Sequence, residues 1–437
     1  MGIRRIASNV NLSSLHDTPV LATVRACLKL AVGIWPLALL VVSAAAADPP
    51  LKIGFGIGLT GPLSGNGRAA LVAMQIWAEE VNARGGLIDR KVELVYYDDQ
   101  GNPANVPGIY GKLLDVDKVD LIIGGYGTNM IVPAIPLAMQ HGMTLMSLLG
   151  LNANQRFNYD RYFQIGSTGQ DPADTFTRGY FDLAAGMRPT PKTVALSGAD
   201  AEYSAIALDG ARRQAKRLNL QVIYDKAYPP STADYAPIMR AIEATHPDFV
   251  YVASYPPDTV GLIRAASETG LRTGMFGGGM VGSQYAALKT QLGPLLSGVV
   301  SYEAYVPELA TEFPHVKEFL AKYQVRAAAE KIDQLGFYLP PLAYAAMQIL
   351  EQAVSEERSL DQARLAAFIH ATAFDTAIGK VKFGKNGEWE VGRIFYVQYR
   401  DVSPSDLEQW KKPGHAVVLW PPEFKSGDLV YPYRSGQ

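Results

Sequence analysis

The chain has 437 residues, 48% of them hydrophobic, a formal net charge of −2 and a single cysteine, Cys27. That length fits two domains, each burying its own core. The mild acidity argues against a nucleic-acid-binding surface, and one thiol near the start leaves the rest without disulfides or cysteine catalysis.

Residues 1–47 read as a leader. Arg4, Arg5, Arg25 and Lys29 precede an apolar run at 30–42, which is followed by Ser43-Ala44-Ala45-Ala46-Ala47. This is the pattern of a secretory signal peptide. The run contains Gly33 and Pro36 and is shorter than the ~20 apolar residues of a membrane span. Cys27 lies ahead of the run, where a lipid-attachment cysteine would follow it. The expectation is cleavage near Ala47 and a soluble exported protein. The leader's net +3 leaves the remainder at −5.

The next segment forms a β-loop-α-turn-β unit. A strand at 51–58 enters a Gly/Pro/Ser loop that continues to Gly67. A helix follows, with Ala70, Met74, Trp77 and Val81 on one face. Asn82-Ala83-Arg84-Gly85-Gly86 stops it, and a strand at 91–97 ends in Asp98-Asp99. Strands at 119–123, 143–147 and 163–165 follow, with a helix at 131–140. Asp171-Pro172 opens another helix. A second series places strands at 193–197, 221–224, 249–253 and 275–277, with helices at 203–216, 235–244 and 258–268 between them. Two βα series predict an α/β protein of two doubly wound, parallel-rich sheets. After Ser301 come long helices at 312–329 and 342–355, then strands at 380–383 and 393–399 around the turn Lys385-Asn386-Gly387. A Pro- and aromatic-rich tail, 403–437, is expected to wrap a surface.

No catalytic constellation is present. Gly56-Ile57-Gly58-Leu59-Thr60-Gly61 matches the dinucleotide fingerprint, but Pro62 interrupts the turn and the loop runs on to Gly67. These glycines are read as loop formers, with no cofactor expected. The six histidines lack metal-ligand spacing, so no metal is expected, and no nucleophile elbow occurs. Asp98-Asp99 is read as a turn-capping or solvated pair. The binding candidates sit at strand ends, where open α/β sheets take ligands. In 124–129, Tyr126 precedes a helix start with Thr128 and Asn129, a cap that also suits a carboxylate. Ser147-Leu148-Leu149-Gly150 is a second such loop. Tyr203, Tyr255 and Tyr285 follow strands of the second series.

The words TGPLSGNG, EEVNARGGLIDRKVELVYYDDQ, GGYGTN, FVYVASYPPDTVGLIRAASETGL and GKVKFGKNGE, in that order, carry a family likeness. The chain resembles periplasmic solute-binding proteins of ABC importers, of the branched-chain amino acid group with the type I periplasmic binding protein fold. The resemblance implies two lobes joined by three crossings, 48–168 with 302–380 and 169–301 with 381–437. It also implies a non-enzymatic, monomeric periplasmic protein that hands a small-molecule ligand to an inner-membrane ABC permease. By the same resemblance Thr128 and the backbone of 147–150 meet a ligand carboxylate, and Tyr203 and Tyr255 face it from the second lobe.

Departures from the family bear on the ligand. Where the family's amino-acid binders place an acid for the ligand ammonium, this chain reads Gly277-Gly278-Gly279-Met280-Val281-Gly282. A threonine contact is matched by Leu151 or Asn152, and a pocket aromatic by Asn66, with Arg68 close by. A buried ammonium without a counter-charge costs several kcal/mol. The expected ligand is therefore a non-amino organic acid with an aromatic or hydrophobic body. Amino acids or amides are the alternative, with Glu202 supplying the acid. A ligand-sensing receptor domain is the alternative class.

Overall fold

The structure, a computed structural model, describes residues 48–435; the leader lies outside the described residues. The first series runs β1 (Leu51–Ile57), α1 (Ser64–Ala83), β2 (Val92–Asp98), α2 (Val106–Asp115), β3 (Leu121–Tyr126), the single turn α3 (Thr128–Ile131), α4 (Ile135–His141), β4 (Leu145–Leu148) and β5 (Tyr162–Gln164). Its strands are all parallel, in the order β2-β1-β3-β4-β5.

The second series runs α5 (Pro172–Ala185), β6 (Thr193–Ala199), α6 (Glu202–Arg217), β7 (Gln221–Tyr228), α7 (Ala236–Glu243), β8 (Phe249–Ser254), α8 (Pro256–Glu268), β9 (Met275–Met280), α9 (Ala286–Leu292) and β10 (Val300–Glu303). Three helices follow, α10 (Pro314–Glu330), α11 (Leu339–Glu357) and α12 (Gln362–Ala371). The chain ends with β11 (Ala373–Thr376), β12 (Gly379–Lys382), β13 (Phe395–Tyr399) and β14 (Ala416–Trp420). The second sheet has the order β14-β13-β10-β9-β8-β6-β7. Only β13 runs against its neighbours β10 and β14.

Helices α10 and α11 pack on α1 and so return to the first sheet. Trp77 of α1 donates its indole N–H to Glu351 of α11 at 2.8 Å. Between the sheets, residues 165–171 and 383–394 lie side by side. Ser167 O accepts from Arg393 N at 2.7 Å, and Gln170 donates to the carbonyls of Glu388 and Trp389.

Several expectations shift, each for a physical reason. Helix α1 starts at Ser64, ahead of Gly67. The helix expected at 131–140 is broken into α3 and α4 around Pro133 and Pro136, which cannot donate to a helical ladder. Strand β9 runs to Met280, so the three glycines are strand and not loop. Strand β10 takes up Val300–Glu303, ahead of the long helices. The strands at 380–383 and 393–399 do not pair around Asn386-Gly387. β12, with one exposed face, closes a hairpin with β11, whereas the fully buried β13 needs neighbours on both edges and finds them in the large sheet. The tail supplies β14 as the edge strand of that sheet.

Candidate functional site

The carboxyl ends of both parallel sheets open into one cleft. From the first sheet come Tyr126, Thr128, Asn129, Leu149 and Leu151. From the second come Phe176, Tyr203, Tyr255 and Val281. Strands β10 and β13 of the second sheet add Tyr302 and Phe395, and the segments outside the sheets add Tyr338, Trp389 and Arg393.

After β3, Gly127 takes φ +91°, open to glycine at little cost, and this turns Thr128 into the cleft wall. The Thr128 hydroxyl accepts from Leu151 N at 2.9 Å, which leaves its own proton free to donate. Leu149 holds a left-handed conformation, φ +55°, so the 149–151 loop folds back over Thr128. The walls touch at Asn129. Its side-chain oxygen accepts from the Tyr255 hydroxyl at 2.7 Å and from Tyr203 N at 3.4 Å.

The floor is aromatic. Tyr126 meets Tyr338 edge-on at 6.1 Å, and Phe176 meets Tyr302 at 4.8 Å. A hydroxyl chain runs behind these rings. Asn66 donates to Tyr126 Oη at 2.9 Å, which reaches Tyr338 Oη at 3.4 Å. Tyr338 Oη in turn lies 2.8 Å from Tyr302 Oη. Burial pushes the Tyr338 phenol up to about 12, so it stays a neutral donor.

Among the described residues, the lining holds one acid and one base, Glu303 and Arg393. The Glu303 carboxylate lies 2.6 Å from Lys289 Nζ and accepts from the Tyr399 hydroxyl at 2.6 Å. Side chains alternate along a strand, so Tyr302 faces the cleft while Glu303 turns to α9. Glu388 sits behind the wall, accepting from Gln164 and Thr168 at 2.9 and 3.1 Å. Burial raises its pKa to about 8, so it is largely uncharged at neutral pH. Glu202 lies outside the lining and faces Arg156 at 3.9 Å. Arg393 is ringed by Phe313, Trp389 and Phe395. Burial brings it down to about 10, and it remains protonated.

Of the residues singled out from sequence, the cleft gathers Tyr126, Thr128, Asn129, Leu149, Gly150, Leu151, Tyr203 and Tyr255. The others lie elsewhere. Asn66 stands behind Tyr126. Ser147 is buried and spends its hydroxyl on Tyr162 and Phe163. Met280 is buried inside β9, and Val281 lines the cleft in its place. Arg68 is exposed and lines a separate groove with Tyr285. Once α1 starts at Ser64, the buried face carries Asn66, Ala69, Ala70 and Ala73, and Arg68 falls on the opposite side. Asp98 caps the first loop, accepting from Leu59 N and Thr60 N at 2.8 and 3.2 Å. Tyr338, Trp389 and Arg393 are cleft residues that sequence reasoning did not assign. Among the described residues no group of acids, histidines or cysteines could hold a metal, and no helix is long and apolar enough to cross a membrane.

Two parallel-rich sheets that enclose a cleft at their facing strand ends define a two-lobed solute-binding protein. The chain belongs to the periplasmic binding protein family, whose profile matches residues 50–401. It is similar to the leucine-specific-binding protein of Salmonella typhimurium, 23% identical over 80% of this chain and 90% of that protein. Its fold is that of a Streptococcus pneumoniae branched-chain amino acid transporter substrate-binding protein solved with isoleucine. The TM-score is 0.70 with 18% identity, over 85% of this chain and 100% of that one. It is equally that of an R. palustris ABC transporter solute-binding protein solved with benzoate, with TM-score 0.69 and 18% identity over 85% and 95% of the two chains. The protein is thus a non-enzymatic substrate-binding protein of the periplasmic binding protein family.

Proposed function

We propose that the cleft captures a small non-amino organic acid with an aromatic or hydrophobic body and delivers it to the permease. The observation that carries this reading is the state of the acids around the cleft. The lining carboxylate, Glu303, is paired with Lys289, and β9 has no room for another. A Cβ on Gly277 would lie 1.9 Å from Val300 O, on Gly278 2.5 Å from the Tyr251 ring, and on Gly279 2.7 Å from Tyr203 Oη. The ammonium of an amino acid would enter this site without a counter-charge.

In this reading Thr128 donates to a ligand oxygen, with Tyr126, Leu149, Leu151, Tyr203 and Tyr255 as contacts. Asn66, Ser147 and Met280 act through the walls they support, and Arg68 has no part. The lobes are 48–168 with 302–380, and 169–301 with 381–437. The mature protein is a monomer cut near Ala47. Branched-chain amino acids are the second reading, favoured by the names of the curated relatives. Calorimetric titration of ligand-stripped mature protein with benzoate, phenylacetate, leucine and valine separates the two. Binding of the aromatic acids alone is expected. Tight binding of leucine or valine with no response to the aromatic acids overturns the proposal.

A further inference from the structure

Arg393 stands two residues ahead of β13, on the segment that crosses between the sheets. Its guanidinium is pressed onto the rings of Phe313, Trp389 and Phe395, at 4.4, 5.4 and 5.8 Å. Nη2 donates to Ile378 O at 2.8 Å. Nε is buried and meets no acceptor, and the neighbouring Trp389 indole N–H is also buried without one. Among the described residues no carboxylate pairs with this guanidinium.

Lys289, which is fully buried where Arg393 is half-buried, shows how the same protein treats a cation withdrawn from water. That ammonium lies over the Tyr399 and Trp410 rings at 4.3 and 4.4 Å, and Glu303 sits 2.6 Å away. Both cations have ring partners, yet only Lys289 has a counter-ion within the chain. Rings attract a cation less strongly than a hydrogen-bonded carboxylate does, and a desolvated charge calls for a partner. The difference lies in location, because Arg393 and Trp389 both line the cleft.

We infer that Arg393 is the anion receptor of the cleft, with its guanidinium and the Trp389 indole N–H holding the carboxylate of a hydrophobic monoacid whose body lies against Phe176, Tyr302 and Tyr338. The inference rests on the organic-acid reading above and adds the residue that sets ligand charge. A monoanion neutralises Arg393. A zwitterion brings a second, positive charge for which the lining offers no free partner.

The test is a calorimetric comparison of benzoate with its neutral isostere benzamide, on wild type, Arg393→Gln and Arg393→Lys. Wild type should prefer benzoate on the order of 100-fold, as expected for a desolvated, hydrogen-bonded charge pair. Arg393→Gln should weaken benzoate by roughly that factor while moving benzamide less than about threefold, and Arg393→Lys should keep part of the preference. An Arg393→Gln protein that folds and still prefers benzoate as strongly as wild type overturns the inference while leaving the organic-acid reading intact. Wild type that binds leucine and neither benzoate nor benzamide overturns both. If Arg393→Gln does not fold, the wild-type ratio decides, and equal affinity for benzoate and benzamide overturns the inference.

Discussion

Asn129 is the side chain through which the two walls of the cleft meet, since it accepts from both Tyr255 and Tyr203. A neutral hydrogen bond of this kind contributes about 1 kcal/mol, and here it is made only when the lobes are together. Asn129→Ala should therefore weaken ligand binding by up to about tenfold in calorimetry, with little change in the melting temperature of the ligand-free protein. A large fall in ligand-free stability would contradict a closure role.

Glu388 gives a pH prediction. Its pKa is raised to about 8 by burial, from the usual 4.5. Between those values the folded state holds a proton that the unfolded state has lost, so stability falls as pH rises from about 4.5 to 8 and levels off above. Denaturant titrations at pH 5, 6.5 and 8 should show wild type losing a few kcal/mol relative to Glu388→Gln. Parallel curves for the two proteins would contradict the assignment.

The sequence-assigned residues that line the cleft, such as Thr128, Leu151 and Tyr255, sit at βα turns, where position follows from local pattern. Arg393 and Trp389 come from a crossing segment with no such pattern. The available signal was a lone arginine entering the apolar run IFYVQY.

At the scale of elements, β9 explains why the cleft has no carboxylate beside the paired Glu303. Its glycines admit the rings of Tyr251 and Tyr203, and the Tyr203 hydroxyl donates to Gly279 O at 2.8 Å. Gly279→Ala should push that ring into the cleft and lower stability by about 1–3 kcal/mol, read by chemical denaturation, with ligand affinity falling as well. An unchanged protein would mean that the strand has slack it is not credited with. The same strand shows where local pattern fails, because a glycine triplet reads as loop until the rings that need the space are known. Helix α2 was hidden in the same way by Pro107, Gly108 and Gly111, although Val106, Tyr110, Leu113 and Leu114 form its buried face. The edge strand β14 lay in a segment whose prolines and aromatics suggested only a wrapping tail. Truncation after Asp401 should uncover β13, whose side chains are all buried, and yield aggregated protein. A soluble, ligand-binding truncation would contradict this.

For the whole molecule, the alternating series specified two doubly wound sheets, and the family likeness supplied what periodicity could not, namely that the helices after Glu303 return to the first sheet. The fold is shared by proteins solved with isoleucine and with benzoate, so the architecture does not choose the ligand. In the reading proposed above that choice rests on charge, with an acid already paired, a strand too crowded for another, and Arg393 left for the ligand. The most direct measurement is the identity, by mass spectrometry, of the small molecule released on denaturing protein purified from its native periplasm. The account predicts a carboxylic acid without an amino group. Leucine, isoleucine or valine in stoichiometric amount would contradict it.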